Sequence, residues 1–187
     1  MRYLPVIAAL LAVGGCSTVP EPQASSGDSR LIAAEKLIDA FYSFDPKPLR
    51  LALVDAPASQ LRILYYQGWA EGGNYAVIGR QQCEFVNHDE AVCAITVRDD
   101  LIAALGTGFW VTDSFHLTFQ DGRIVKVSTS SNDPPDFGAG LAWLQAERPE
   151  IMSGPCLGFF DGGPSPGDCV RAVVRGFREY RAARRSE

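Results

Sequence analysis

The hydrophobic pattern of this chain changes from a helical to a strand period at Gly72-Gly73-Asn74, and this change constrains the fold most. Before it, apolar residues recur every three or four positions, which predicts amphipathic helices. After it, apolar and polar residues alternate over several short segments, which predicts half-buried strands. We therefore expect an α+β domain in which the first helices pack against a sheet built from hairpins.

Three helices are predicted before the change of period. The first covers residues 31–44, and the third covers residues 60–71. The second begins at Asp45-Pro46, because proline suits the first turn of a helix. One face of the third helix is expected to carry Leu61, Leu64, Tyr65 and Gly68.

Strands and further helices are predicted after the change of period. The strands are 75–86, 91–97, 109–119 and 123–130. The helices are a short one that follows Asp99-Asp100 and two later ones at 137–147 and 168–184.

The last two strands form the clearest hairpin, joined through Asp121-Gly122. A two-residue turn would place Leu117 opposite Lys126 and so mix apolar and polar faces. A three-residue loop with Gly122 in the left-handed conformation instead pairs Leu117 with Val125. We predict this second register because it keeps the apolar face continuous.

The amino terminus has the composition of a bacterial lipoprotein signal. A cationic start at Arg2 is followed by the apolar segment 3–13, which is too short for a bilayer, since about 20 residues are needed. The letters VGGC that end at Cys16 resemble a lipobox. The resemblance implies a signal peptide of residues 1–15 and lipid attachment at Cys16. An ordinary cleaved signal with a coincidental cysteine is the alternative.

The segment that follows the lipobox suits a tether. Residues 16–30 are rich in Pro and Ser and lack periodicity, which predicts a flexible linker between a membrane and the folded domain. By resemblance to lipoprotein sorting in Gram-negative bacteria, Ser17 favours the outer membrane over the inner one. The expected location is the cell envelope, with the domain facing the periplasm.

Beyond the lipobox four cysteines remain, an even number that indicates two disulfides in an exported chain. Cys83 and Cys93 flank the turn-forming segment 87–89, and a hairpin with that three-residue loop places them opposite each other. The remaining pair is Cys156–Cys169, around a loop rich in Gly and Pro. Because no C-x-x-C pair or nearby histidine supports zinc, we expect no metal at these cysteines. We also expect no cofactor.

The charge balance limits the classes of partner. The chain has 187 residues, enough for one domain, and a net charge of -5, which argues against nucleic-acid binding. The last helix is nevertheless basic. A solvated face is the default interpretation, and docking onto anionic headgroups or an acidic partner is the sharper hypothesis. Its arginines are Arg171, Arg175, Arg178, Arg181, Arg184 and Arg185.

Three helices followed by a hairpin of the form F-x-x-T-F-x-D-G-R-I, residues 115–124, resemble the nuclear transport factor 2-like superfamily and its SnoaL-like group. The letters YYQGW that end at Trp69 are a further likeness. The resemblance covers residues 31–150 and implies a cone-shaped, curved antiparallel sheet packed against N-terminal helices. Residues 151–187 lie outside it and are expected to add a disulfide-closed loop and a C-terminal helix.

Three polar residues are candidates for catalysis. The polyketide-cyclase branch of this superfamily uses an Asp and a His in its cavity, so the resemblance points to Asp99, Asp113 and His116. An acid–base pair forms if the strand face that carries His116 lines the cavity. The alternatives are a hydrogen-bonded or exposed histidine and a helix cap at Asp99.

Five aromatic residues are candidates for the wall of a ligand pocket, and they are Tyr42, Tyr65, Tyr66, Trp69 and Trp110. Apolar and aromatic walls are typical of pockets for small molecules. Aromatic residues at helical spacing also serve as plain core, and both interpretations stay open here.

Three functions are compatible with these observations. The favoured one is a lipid-anchored envelope protein that binds a small apolar ligand or a protein partner without chemistry. The second is a SnoaL-like isomerase, cyclase or hydrolase that uses general acid–base chemistry. The third is an assembly module in which the outer face of the sheet forms a homodimer, as sheets of this superfamily often do.

Overall fold

The structure, a computed structural model, describes residues 26–186. The predicted signal peptide 1–15 and the lipid-bearing Cys16 lie outside the described residues. In chain order, the elements are α1 Ser26–Tyr42, α2 Pro46–Ala52, α3 Pro57–Gly72, β1 Ala76–Arg80, β2 Glu84–Phe85, β3 Glu90–Arg98, α4 Asp100–Leu105, β4 Val111–Gln120, β5 Arg123–Ser131, α5 Pro135–Glu147, α6 Pro149–Ser153 and α7 Pro166–Arg184. Because α1 begins at Ser26, the last five residues of the expected linker are helical.

The five strands form one open antiparallel sheet, so the α+β class is confirmed. Its order is β1-β3-β4-β5, and β2 pairs with the same edge of β3 as β1 does. The strand expected at 75–86 is therefore two short strands. A register shift between Val77 and Gly79 marks the irregular pairing of β1. The cone shape stays a prediction.

The hairpin of β4 and β5 corrects the predicted register. The turn has two residues, Asp121 and Gly122, both with positive φ, as a type I′ turn requires. A bulge between Thr118 and Phe119 on the paired strands then shifts the register, so that Leu117 lies opposite Val127 rather than Val125. The extra residue in β5 reconciles the tight turn with a continuous apolar face.

The main core lies between the inner face of the sheet and the helices α1 and α3. The buried Gln67 of α3 donates to the carbonyl oxygens of Ala40 and Phe41 at 3.0 Å, which satisfies free groups at the end of α1. The predicted inner face of α3 is wrong at Leu61, which is 63% exposed. Ile63, Tyr66, Trp69 and Ala70 are buried instead because the sheet and α7 cover a different stripe of the helix.

The C-terminal extension forms an outer layer, in which α7 packs on α3, α4 and α5. Both predicted disulfides are confirmed, Cys83–Cys93 beside the β2–β3 hairpin and Cys156–Cys169 at the start of α7. These bonds place the protein in an oxidising, exported location. Within residues 26–186, none of the helices combines the length and apolar character that a membrane crossing needs.

Candidate functional site

A cavity of about 220 Å³ lies where the start of β4 and the end of β5 meet α3, α5 and the loop before α7. Aromatic side chains form much of its wall. They are Tyr66, Trp69, Tyr75, Phe137, Phe159 and Phe160. The opposite part of the wall is polar and comes from the two strands, including Asp113 and Ser131. The cavity is thus apolar on its helix and loop side and polar on its sheet side.

Asp113 is the buried charge of the sheet side, with 1% of its surface exposed. Side chains alternate along β4, so Asp113 shares the inner face with Val111 and Phe115. The Tyr42 hydroxyl donates to Asp113 Oδ2 at 3.1 Å. Burial raises the pKa of Asp113 to about 6, although hydrogen bonds from Tyr66 and Tyr42 favour the ionised form.

Asp99 is a second buried carboxylate close to Asp113. Its Oδ1 accepts from the backbone N–H of Ile102 at 2.9 Å, so the predicted cap of α4 is confirmed. Its Oδ2 is buried and has no hydrogen-bond partner in the part of the chain that the structure describes. Burial raises the pKa of Asp99 to about 6, and the charge of Asp133 raises it further, while backbone hydrogen bonds oppose the shift.

The corrected register of the hairpin builds the polar wall. It places Ser131 opposite Asp113 and Thr129 opposite Phe115. The Ser131 hydroxyl donates to Asp133 Oδ2 at 2.5 Å, which holds this third carboxylate at the rim. Desolvation raises the pKa of Asp133, and its charge in turn raises the pKa of Asp113. Three carboxylates therefore lie within electrostatic reach of one another.

The aromatic wall depends on the loop between α6 and α7. Phe159 lies edge-on to Trp69, with 5.1 Å between ring centroids, and Phe160 lies 5.8 Å from Tyr66. The Cys156–Cys169 bond closes this loop, so the extension beyond the predicted family match supplies part of the site. The loop covers α3 at the point where Tyr66 and Trp69 face the cavity.

The structure separates His116 from the carboxylates that were predicted to accompany it. His116 lies on the outer face of β4, where its Nε2 is 3.1 Å from the Ser130 hydroxyl and its Nδ1 is 4.0 Å from Glu90. Asp113 points to the inner face, and Asp99 caps α4. The three catalytic candidates therefore do not form one constellation. Side chains alternate along a strand, and residues 113 and 116 are three positions apart, so they point to opposite faces of the sheet.

The aromatic candidates are divided among different surroundings. Tyr66 and Trp69 line the cavity, and Tyr42 contacts its carboxylate. Tyr65 is buried beside Phe160, with 5.5 Å between ring centroids, and borders a separate depression. Trp110 is 61% exposed and is not part of the cavity wall.

Several site residues were not singled out from the sequence. Tyr75 and Asp133 come from the segments that join the elements, and Phe159 and Phe160 come from the late loop. A signal for Asp113 as a buried charge was available, because a carboxylate that shares strand parity with Phe115 must face the core. The late loop offered no comparable signal, since its contacts with α3 span many residues of sequence.

The arginines of α7 are partly engaged within the fold. Arg171 pairs with Asp168 at 2.8 Å, and Arg184 pairs with Asp136 at 2.7 Å. Arg175 and Arg178 lie on the exposed side of the helix. Their docking onto a membrane or an acidic partner stays a prediction.

No group of three or more His, Cys, Asp or Glu side chains within residues 26–186 is arranged to hold a metal ion. Comparison of the chain with protein-family models, with curated proteins and with solved structures gave no match. The resemblance to the nuclear transport factor 2-like superfamily stays a prediction. The function is therefore inferred from the residues of the cavity.

Proposed function

We propose that this protein is an exported, lipid-anchored component of the cell envelope whose domain binds a small, largely apolar ligand without chemical conversion. The observation that carries the proposal is the cavity itself, in which aromatic rings face a buried carboxylate. Pockets for small molecules combine apolar walls with a few placed polar groups in this way. The separation of His116 from Asp113 removes the main argument for acid–base chemistry by that pair.

The size of the cavity limits the ligand. Pockets for drug-sized molecules measure about 300 to 1,000 Å³. A cavity of about 220 Å³ suits a smaller molecule, of the size of a single ring with a short polar substituent. The ring would lie against Trp69 and Phe159, and its polar end would point to Asp113.

Anchoring rests on the sequence around Cys16 together with the disulfides. A lipobox requires export, and two disulfides belong to the same oxidising location. Several acyl chains, at about 0.8 kcal/mol for each buried methylene, would hold the protein stably in a membrane. We infer that the domain faces the periplasm from the outer membrane.

Native mass spectrometry of protein purified from its own envelope tests this proposal. We expect an acylated amino terminus, both disulfides and a retained small molecule. A Thr129→Phe variant, which fills the cavity from β5, should lose the retained mass while its circular dichroism stays unchanged. The same small molecule bound to wild type and to this variant would show that the cavity is not its site.

A second candidate function is general acid–base catalysis centred on Asp113 rather than on His116. The observation that favours it is the raised pKa of Asp113, near 6, beside the Tyr42 and Tyr66 hydroxyls. Incubation of the protein with a small-molecule extract of the envelope tests it. Consumption of a compound by wild type but not by Asp113→Asn would favour the enzyme, and unchanged compounds would favour the binding protein.

A further inference from the structure

The three carboxylates near the cavity lack cationic partners within the fold. Asp99, Asp113 and Asp133 form no ion pair with a basic side chain in the described part of the chain. Hydroxyl and backbone groups are their partners instead. Asp99 and Asp113 are buried, and buried charges in proteins are normally paired, so this arrangement leaves negative charge for a partner from outside.

The surroundings of these carboxylates suit an organic cation. Aromatic faces attract organic cations through their quadrupole, and the cavity places Trp69, Tyr75 and Phe137 around the same space as Asp113. Arg62 is the single basic residue among those that line the cavity, and it lies exposed on α3 at the rim. The interior wall therefore carries negative charge and aromatic faces.

We propose that the ligand of this cavity is a primary or secondary ammonium ion on a small aromatic or apolar body. Its ammonium group lies between Asp113 and Asp133, and its ring lies against Trp69 and Phe159. The ammonium donates charge-assisted hydrogen bonds to the carboxylates, which the hydroxyls of Tyr42 and Ser131 hold in place. This inference rests on the proposed binding function and specifies its ligand class.

The test uses the fluorescence of Trp69 in the full-length protein. Trp110→Phe and Trp143→Phe together leave Trp69 as the single tryptophan, and neither residue lines the cavity. The probes are 2-phenylethylammonium, its neutral counterpart 2-phenylethanol, and the anion phenylacetate, each titrated at pH 8. The three probes share a ring and differ mainly in the charge of the polar end.

We expect 2-phenylethylammonium to bind at least about tenfold more tightly than 2-phenylethanol, because a charge-assisted hydrogen bond replaces a neutral one. Phenylacetate should bind most weakly. Asp113→Asn should abolish the preference for the ammonium over the alcohol, and Asp133→Asn should reduce it. Asp133 lies at the exposed rim, so its variant decides the question even if Asp113→Asn fails to fold.

Three results would overturn the ligand class while leaving the proposed function intact. The first is equal affinity for the ammonium and the alcohol, and the second is tightest binding of phenylacetate, which would point to Arg62 as the recognition group. If none of the probes changes the emission of Trp69, the ligand class is also wrong. The retained small molecule in native mass spectrometry then decides separately whether the cavity binds anything.

Discussion

At the scale of single residues, Asp113 is the most informative position. Its carboxylate is buried, and its hydrogen-bond partners among the described residues are the hydroxyl groups of Tyr42 and Tyr66. A group whose pKa rises on folding binds its proton more tightly in the folded state than in the unfolded state. Such a residue lowers stability at neutral pH, a cost that the proposed binding of a ligand by this charge would explain.

Replacing Asp113 by Asn should therefore stabilise the protein at pH 7. The pKa of Asp113 rises from its ordinary value of 3.8 to about 6, which corresponds to about 3 kcal/mol for the ionised form. Wild type should gain stability as the pH falls from about 7 to about 4, and the variant should lose part of that gain. Urea unfolding at several pH values measures both effects.

Tyr42→Phe is the matched control for this experiment. It removes a hydrogen bond that favours the ionised carboxylate, so the pKa of Asp113 should rise further and the pH dependence should shift upward. An Asp113→Asn variant that is less stable than wild type at pH 7, with an unchanged pH profile, would show that the carboxylate is a structural group. Asp99, whose pKa burial also raises, is present in all three proteins.

At the scale of elements, the loop closed by Cys156–Cys169 links the extension to the site. It presents Phe159 and Phe160 to Trp69 at ring distances of 5.1 and 5.4 Å. The bond holds both ends of the loop near the start of α7. The loop therefore acts as one wall of the cavity.

Replacing Cys156 and Cys169 by Ala should open this wall. We expect a loss of about 3 kcal/mol in the free energy of unfolding, from the entropy that the unfolded chain regains. The emission of Trp69 should shift to longer wavelength in the Trp110→Phe, Trp143→Phe background, because water reaches the ring. Cys83→Ala with Cys93→Ala should cost a comparable free energy and leave the emission unchanged. Equal emission in both variants would mean that the loop does not shield Trp69.

The elements that local pattern controls could be predicted from the sequence. The caps at Asp45 and Asp99, the buried face of β3 and the β2–β3 hairpin that brings Cys83 to Cys93 all follow from neighbouring residues. The register of β4 and β5 could not be predicted, because a bulge compensates for the turn. The one extra residue of β5 at this bulge also places Ser131 opposite Asp113.

The site was harder to predict than the elements, for a physical reason. Asp113, Tyr42 and Phe159 meet only through tertiary packing, and their separations in sequence are long. His116 was a candidate because of the acid–base chemistry of histidine, although the alternation of side chains along β4 places it on the outer face. The alternation of side chains along β4 predicts which residues face the cavity better than residue type does.

At the scale of the whole molecule, the start of α1 and the C-terminal end of the basic helix α7 lie at opposite ends of the sheet. Arg30 donates to the carbonyl oxygen of His88 at 2.5 Å, beside the turn before β3. The guanidinium of Arg181 lies against Gly106, beyond the other end of β3. The nine residues of β3 span about 26 Å at 3.3 Å per residue. The expected tether thus leaves the domain far from the C-terminal end of α7.

We predict that acylation at Cys16, rather than the arginines of α7, holds the protein in the membrane. Acyl chains contribute about 0.8 kcal/mol per methylene, against about 1 kcal/mol for each arginine near an anionic surface. Cys16→Ser should release the protein to the soluble fraction of fractionated cells. Arg175→Gln with Arg178→Gln should leave it in the membrane fraction. Release by the arginine variant alone would mean that the basic face provides the anchor.

The most direct measurement is the titration of the Asp113 side-chain carboxyl carbon by NMR, assigned by comparison with Asp113→Asn. We predict a midpoint near pH 6 in the free protein, and a lower midpoint when 2-phenylethylammonium is added, because the cation stabilises the carboxylate. A midpoint near pH 4 that does not respond to the ammonium would contradict both the buried charge and its role in binding.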